Sequence, residues 1–208
     1  MKKRKVFRPL LIGACLGILL LGPVSVFAGD NPEVVIKTEL GFILVELYPV
    51  KAPLTTANFL KYVDEGLFEG ASFYRVVTEN NQPANDIKIE VIQGGLMRTK
   101  NIGIYPPIGH ETTETTGIRH EDGVISMARN EPGTASSEFF ICINDQPELD
   151  FGGKRNPDGQ GFAAFGRVIE GMDIVRKIQA VDAPRQYLET PVLISGITRL
   201  EMKKKGKS

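Results

Sequence analysis

The sequence has 208 residues, a length that fits one domain with a short additional segment. Its 22 glycines and 13 prolines, together with apolar runs that are mostly short, favour strands and turns over a helical architecture. The formal net charge of zero is unevenly distributed: residues 1–28 hold five basic residues and no acidic one, so the remainder has 20 basic against 25 acidic residues and a charge of about −5. This charge argues against nucleic acid or an anionic membrane surface as the main partner.

The first 28 residues have the pattern of a secretory signal peptide. Basic residues precede a long apolar run, and the segment ends in Val-Phe-Ala, which suits cleavage between Ala28 and Gly29. We therefore predict an exported protein, periplasmic or otherwise extracytoplasmic, whose domain covers residues 29–208 and ends in a basic, solvated tail. The alternative is an uncleaved membrane anchor through residues 10–27, because this apolar run is nearly long enough to span a bilayer.

Short apolar runs and turns alternate along the rest of the chain. Two runs around Gly41 predict a hairpin of strands over residues 34–39 and 42–47, and apolar residues at helical spacing predict a helix over 53–66. Residues 99–122 have the composition of a long loop. About eight strands and two helices fit a closed antiparallel barrel, although the strand count alone also permits a sandwich. The other predicted elements are strands over residues 73–77, 89–93, 124–128, 139–143, 162–168 and 192–200 and a second helix over 171–180.

Six blocks of sequence follow one another between residues 33 and 200. They are FYRVV at 73–77, IQGG at 92–95, GVISMAR at 123–129, SSEFFI at 136–141, LD at 149–150 and FAAFGRV at 162–168. In this order and at these spacings they resemble the cyclophilin family of peptidyl-prolyl cis-trans isomerases. The leader and the long connection at residues 78–90 indicate an exported, bacterial, long-loop subtype. The resemblance implies a mainly β fold, a closed eight-stranded antiparallel β-barrel capped by two α-helices.

The reaction implied by the resemblance is rotation about an Xaa-Pro peptide bond, which has a barrier of about 18–20 kcal/mol because amide resonance resists twisting. It requires no covalent bond to the substrate and no cofactor. A fixed cation can lower the barrier by donating a hydrogen bond to the prolyl nitrogen, whose lone pair becomes available only when the amide is twisted. Arg75, in an otherwise apolar strand, is the candidate catalytic donor, although an arginine on a strand is by itself more typical of a surface ion pair.

The resemblance also assigns an apolar pocket for the proline ring. Phe140 and Leu149 would form its walls and Val91 its floor. Phe139 would point to the opposite face of its strand and into the core. The apolar residues predicted to bind substrate are Phe73, Val91, Phe140, Leu149 and Phe162.

Polar groups would hold the substrate backbone beside this pocket. Gln93 would hydrogen-bond the substrate backbone or orient Arg75. The main chain at Ala128 and Arg129 lies where the family holds the residue before proline. Glu138 is predicted to lie close to Arg75 and to restrain it.

Several positions depart from the common family pattern. Tyr74 stands in place of a histidine, which excludes imidazole acid/base chemistry there but leaves amide rotation intact. Arg129 stands where asparagine is usual, and Glu138 replaces a glutamine. Glu148 takes the place of a rim tryptophan, and Phe162 stands where a histidine is common. Because the chain contains no tryptophan, we expect weak or no cyclosporin binding and an altered substrate preference.

The remaining reactive residues indicate no other chemistry. Cys142 lies in an apolar run and is predicted to be an inert core thiol. His110 and His120 have no cysteine partner, so we expect no metal site, and the sequence contains no recognisable Ser-His-Asp or Cys-His motif. We predict a monomer that acts on proline-containing unfolded or folding polypeptides. The alternatives are a proline-segment binding module or chaperone without significant catalysis, and a barrel that holds a small apolar ligand in an open interior.

Overall fold

The computed structural model describes residues 31–200, so the predicted signal peptide and basic tail lie outside the described residues. Within this range the chain forms eight strands and three α-helices. The helices are α1 (Pro53–Asp64), α2 (Thr113–Thr116) and α3 (Met172–Gln179). In this part of the chain no helix is both long and apolar enough to cross a membrane. The strands are β1 (Glu33–Thr38), β2 (Gly41–Leu47), β3 (Ala71–Val77), β4 (Val91–Gly95), β5 (Val124–Met127), β6 (Phe139–Cys142), β7 (Ala163–Glu170) and β8 (Tyr187–Arg199).

These strands join in one closed barrel. Their order around it is β1-β2-β7-β5-β6-β4-β3-β8, and every neighbouring pair is antiparallel. The 13-residue strand β8 closes the barrel because it pairs with β3 on one side and with β1 on the other. The barrel implied by the resemblance is therefore confirmed, and the sandwich that the strand count permitted is not formed by the described residues.

Alternating side chains fill the interior of the barrel. On β1, Val34 and Ile36 have no exposed surface, whereas Glu33, Val35 and Lys37 are partly exposed. From α1, the ring of Phe59 lies 5.1 Å from that of Phe165 and 5.6 Å from that of Phe139, measured between ring centroids. This interior is packed with side chains, unlike the open interior that a barrel for a small apolar ligand needs.

The helices cover the barrel from different sides. Helix α1 packs against β7 and β8, whereas α3 packs against β2, β3 and β4. Both contribute buried apolar residues to the same core. Helix α2 is a single turn inside the predicted loop at 99–122. It begins after Thr112, whose hydroxyl accepts a hydrogen bond from the Thr115 N–H, and ends at Gly117, which has a left-handed φ of 69°.

Two strands differ from their predicted bounds in ways that shape the site. Strand β4 extends through Gly94 and Gly95, two residues beyond the predicted end of the strand at residue 93. A Cβ at Gly94 would lie 2.8 Å from the carbonyl oxygen of Ser72, so glycine is required for β3 and β4 to approach this closely. Strand β8 begins at Tyr187, five residues earlier than predicted, and this extension places Tyr187 opposite Arg75.

Candidate active site

A pocket of about 340 Å³ lies on the outer face of the barrel, where β3, β4 and β6 run side by side. On β6, Phe139 points into the interior and Phe140 into this pocket, as the alternation of side chains along a strand predicts. Phe162 meets Phe140 edge-on at 5.2 Å. The apolar wall is a buried cluster separate from the barrel core, made of Val77, Ile89, Val91, Phe140, Cys142 and Leu149, with Ala128 and Phe162 packed against it.

Strand register brings the central polar group to this wall. Arg75 of β3 pairs with Gln93 of β4, which in turn pairs with Phe140 of β6. Strand β3 is irregular between Phe73 and Arg75, and this irregularity places Tyr74 and Arg75 both on the outer face of the barrel. The bulge therefore directs the guanidinium toward the apolar pocket.

The guanidinium of Arg75 is held by two neutral amides. Its Nη1 donates to Oε1 of Gln93 at 2.8 Å, and its Nε and Nη2 donate to Oε1 of Gln186 at 3.1 and 2.6 Å. No carboxylate within residues 31–200 forms an ion pair with it. Burial lowers the pKa of Arg75, but a guanidinium remains charged at neutral pH. The side chain is thus fixed in position while its positive charge is not neutralised.

Gln93 is itself oriented by a chain of hydrogen bonds. Its Nε2 donates to the hydroxyl of Tyr74 at 2.9 Å, and that hydroxyl donates to Oε2 of Glu138 at 2.6 Å. Burial, followed by the neighbouring Glu138, raises the pKa of Tyr74, which keeps the phenol protonated. Because the Tyr74 hydroxyl is the donor to Glu138, it accepts from Gln93, and Oε1 of Gln93 is left to face Arg75.

Glu138 therefore acts on Arg75 only through Tyr74 and Gln93. Its Oε1 accepts hydrogen bonds from the Leu96 N–H at 2.7 Å and from the Ser137 hydroxyl at 3.1 Å. Burial raises the pKa of Glu138, and the hydrogen bonds from Tyr74 and Leu96 act in the opposite direction. Glu138 does not contact Arg75 directly, because Tyr74 and Gln93 stand between them.

The structure brings most of the predicted site residues to the pocket. Glu138 lies instead in an adjoining cavity of about 240 Å³, which shares Gln93, Ala128 and Arg129 with the pocket. Phe73 reaches neither cavity: its side chain is 0% exposed and packs inside the barrel, 5.8 Å from Phe139 between ring centroids. The prediction that Phe73 binds substrate is therefore corrected to a core role. The predicted residues that line the pocket are Arg75, Val91, Gln93, Ala128, Arg129, Phe140, Leu149 and Phe162.

The side chain of Arg129 holds a loop in place. It forms a bidentate ion pair with Asp158, at 2.7 and 2.9 Å, and donates to the carbonyl of Gly161. Its guanidinium carbon also lies 5.2 Å from the ring centroid of Phe162. The hydrogen bonds from Arg129 lower the pKa of Asp158 to about 2. Arg129 thus fixes the 151–161 loop and the aromatic ring at the edge of the pocket.

The sequence did not predict the contact of Gln186 with Arg75, nor six of the residues that line the pocket, Ile89, Met97, Asn130, Arg155, Asn156 and Tyr187. Gln186, Tyr187 and Arg155 come from parts of the chain far from Arg75 in sequence. Gln186 has a left-handed φ of 70° and reaches Arg75 from the turn before β8. Tyr187 stacks on Tyr74 at 6.4 Å. Arg155 enters from the loop after Leu149. A turn signal around Pro184 precedes Gln186, but nothing in the sequence indicates that its amide contacts Arg75.

A buried Ser-His-Asp contact set lies behind Phe140, although the sequence showed no such motif. Nδ1 of His120 donates to Asp150 at 2.8 Å, and Nε2 accepts from the hydroxyl of Ser126 at 2.9 Å. Burial lowers the pKa of His120 and keeps the imidazole neutral. Ser126 has no exposed surface, so it cannot meet a substrate. The His120 ring stacks on Phe140 at 5.9 Å and supports the pocket wall from behind.

The other reactive groups are enclosed. Cys142 is fully buried within the apolar wall, and burial raises the pKa of its thiol well above the usual range, so it stays protonated. In the part of the chain that the structure describes, no group of three or more His, Cys, Asp or Glu side chains could hold a metal ion.

Comparison with known proteins agrees with this geometry. The family model described as "Cyclophilin type peptidyl-prolyl cis-trans isomerase/CLD" matches residues 33–199. The chain belongs to the cyclophilin family. It is an isomerase of the peptidyl-prolyl cis-trans class. The fold of this cyclophilin also resembles a crystal structure of a Cryptosporidium parvum cyclophilin, with a TM-score of 0.66 at 19% identity, covering 83% of this chain and 99% of that one.

Curated bacterial relatives match over most of their length. A peptidyl-prolyl cis-trans isomerase of Acinetobacter baylyi is 36% identical over 82% of both chains. One from Streptomyces antibioticus is 34% identical over 76% of this chain and 90% of its own. The peptidyl-prolyl cis-trans isomerase B of Escherichia coli is 32% identical over 76% of this cyclophilin and 91% of its own chain.

The hydrogen-bond chain behind Arg75 predicts the effect of Tyr74→Phe. Removing the hydroxyl frees the Gln93 amide and loosens Arg75, so we expect kcat/KM for an Xaa-Pro peptide to fall about 2- to 10-fold. Glu138 also loses a donor, so the free energy of unfolding in urea should fall by about 1–3 kcal/mol.

Tyr105→Phe is the matched control, because it also removes a hydrogen bond from a tyrosine to a glutamate, Glu65, on the exposed surface. It should leave kcat/KM unchanged. Equal activity of Tyr74→Phe and the unsubstituted enzyme would show that this chain does not position Arg75.

Proposed function

We propose that this cyclophilin accelerates rotation about Xaa-Pro bonds by donating a hydrogen bond from Arg75 to the prolyl nitrogen, in proteins that fold outside the cytoplasm. The observation that carries the mechanism is a guanidinium beside an apolar wall whose hydrogen-bond partners within the described range are two neutral amides. The apolar wall suits a proline ring, and the uncompensated charge suits a nitrogen whose lone pair appears as the amide twists.

The chemistry of the pocket supports a non-covalent reaction. Among residues 31–200, none of those that line it is a serine, cysteine, lysine, histidine, aspartate or glutamate. The groups present can bind, orient and polarise a peptide, which is what amide rotation needs. The crystal structure of the Cryptosporidium parvum cyclophilin obtained in the presence of the dipeptide Ala-Pro, with a TM-score of 0.65 at 20% identity, supports proline-containing peptides as substrates here.

A direct test compares residues 29–208, which contain the whole closed barrel, with an Arg75→Ala variant in NMR exchange measurements on Xaa-Pro peptides. A charge-assisted hydrogen bond of about 1.5–3 kcal/mol corresponds to a loss of about 10- to 150-fold in kcat. Peptide affinity should change much less, because the apolar wall is intact. Binding of peptides without acceleration by either protein would replace the enzyme with a proline-segment binding module.

Export is supported by the sequence of the first 28 residues. We expect the full chain, expressed in a Gram-negative bacterium, to be found in the periplasm with Gly29 as its first residue by intact-mass analysis. Replacing Ala28 by a bulky residue should block cleavage and retain the longer form. An uncleaved chain in the membrane fraction, with residues 10–27 as its anchor, would contradict cleavage. We also expect a monomer with weak or no cyclosporin binding.

A further inference from the structure

We infer that Arg155 forms a cationic subsite beside Arg75 and gives the enzyme a preference for a carboxylate side chain on the residue after proline. This inference rests on the proposed function, because it takes the pocket to hold an Xaa-Pro segment.

The pocket carries an excess of positive charge. Three arginines, Arg75, Arg129 and Arg155, and no aspartate or glutamate are among its lining residues. Arg129 is neutralised by Asp158, whereas Arg75 and Arg155 form no ion pair within residues 31–200. Burial and then the charge of Arg75 lower the pKa of Arg155, which agrees with the closeness of the two guanidinium groups. Two like charges facing one cavity favour an anionic occupant.

Arg155 is held rigidly by one edge of its guanidinium. Nη1 donates to Oε1 of Gln82 at 3.0 Å and to the carbonyl of Ile87 at 2.5 Å. Gln82 is itself 1% exposed and donates to the carbonyl of Ile89 at 2.7 Å. These bonds join the 151–161 loop to the long connection at 78–90. They use only Nη1, so Nε and Nη2 of Arg155 have no partner among the described residues and can donate to a ligand.

The pocket and the adjoining cavity of Glu138 share lining residues and together form a groove. Strand register gives this groove a direction. Along β4 and β6, Gln93 faces Phe140 at the centre, Glu138 lies toward the Gly95 end, and Ile89 with Arg155 lies toward the Val91 end. The groove is therefore acidic at one end and basic at the other.

The residue after proline is directed to the basic end. The main chain at Ala128 and Arg129, where the family resemblance places the residue before proline, also borders the cavity of Glu138. A chain that enters from the Glu138 side leaves past Ile89 and Arg155. A carboxylate side chain on the residue after proline would contact Arg155, whereas one on the residue before proline would lie on the Glu138 side.

Four acetylated and amidated peptides test this inference without terminal charges: Ala-Ala-Pro-Glu-Ala, Ala-Ala-Pro-Gln-Ala, Ala-Glu-Pro-Ala-Ala and Ala-Gln-Pro-Ala-Ala. Peptide affinity and kcat/KM are measured by NMR with residues 29–208. We expect affinity and kcat/KM for the peptide with Glu after proline to be about three- to tenfold higher than for its Gln counterpart. The peptide with Glu before proline should show no advantage over its Gln counterpart. Raising NaCl from about 20 to about 300 mM should reduce this ratio, since it shortens the Debye length.

Variants separate a charge effect from a structural one. Arg155→Gln should bring the Glu-to-Gln ratio to about one, whatever happens to the absolute rates, and Arg155→Lys should retain part of the ratio. Lys177→Gln, which removes one positive charge on the exposed side of α3, should keep the full ratio.

The outcomes distinguish this inference from the proposed function. Equal rates for the first pair, a ratio unchanged in Arg155→Gln, or a preference for Glu before proline would overturn the inference while isomerisation of the peptides still supports the enzyme. Tighter binding of Ala-Ala-Pro-Glu-Ala without acceleration of any peptide would support the Arg155 subsite and contradict the proposed catalysis.

Discussion

The hydrogen bonds from Arg75 to the amide oxygens of Gln93 and Gln186 are the interaction on which the site depends. A carboxylate could fix the guanidinium equally well, but it would neutralise the charge that the proposed mechanism offers to a twisted prolyl amide. An amide oxygen fixes the position of the guanidinium without neutralising its charge. The bulge in β3, the left-handed turn at Gln186 and the link through Tyr74 to Glu138 all serve this arrangement.

The barrel supports the pocket by dividing its side chains between two faces. Phe139 and the other inward-pointing side chains fill the interior. Phe140 and the other outward-pointing side chains form a second cluster, which is the apolar wall of the pocket. Because the interior is packed, the outward face is rigid. His120, held by Asp150 and Ser126, supports Phe140 from the side away from the pocket. The pocket wall thus lies outside the packed core of the barrel.

The barrel and most of the pocket could be predicted from the sequence, because the six blocks resemble the cyclophilin family in order and spacing, and this resemblance implied the closed barrel and the pocket residues. The prediction for Phe73 was wrong because the irregularity after it shifts the alternation, and a bulge has no clear mark in the sequence. The link from Glu138 to Arg75 through Tyr74 and Gln93 could not be predicted, because it depends on how these side chains pack. Gln186 and Arg155 could not be predicted, because both come from loops that meet the site only through the tertiary fold.

The most direct test of the central claim is the kcat of Gln186→Glu with a saturating Xaa-Pro peptide, beside Gln186→Met. The glutamate keeps a hydrogen-bond acceptor for Arg75 but neutralises its charge, whereas the methionine removes the acceptor and leaves the charge. The account predicts that kcat falls by about tenfold or more in Gln186→Glu, with little change in peptide affinity, and falls less in Gln186→Met. Full activity in Gln186→Glu, or a larger loss in Gln186→Met, would contradict it.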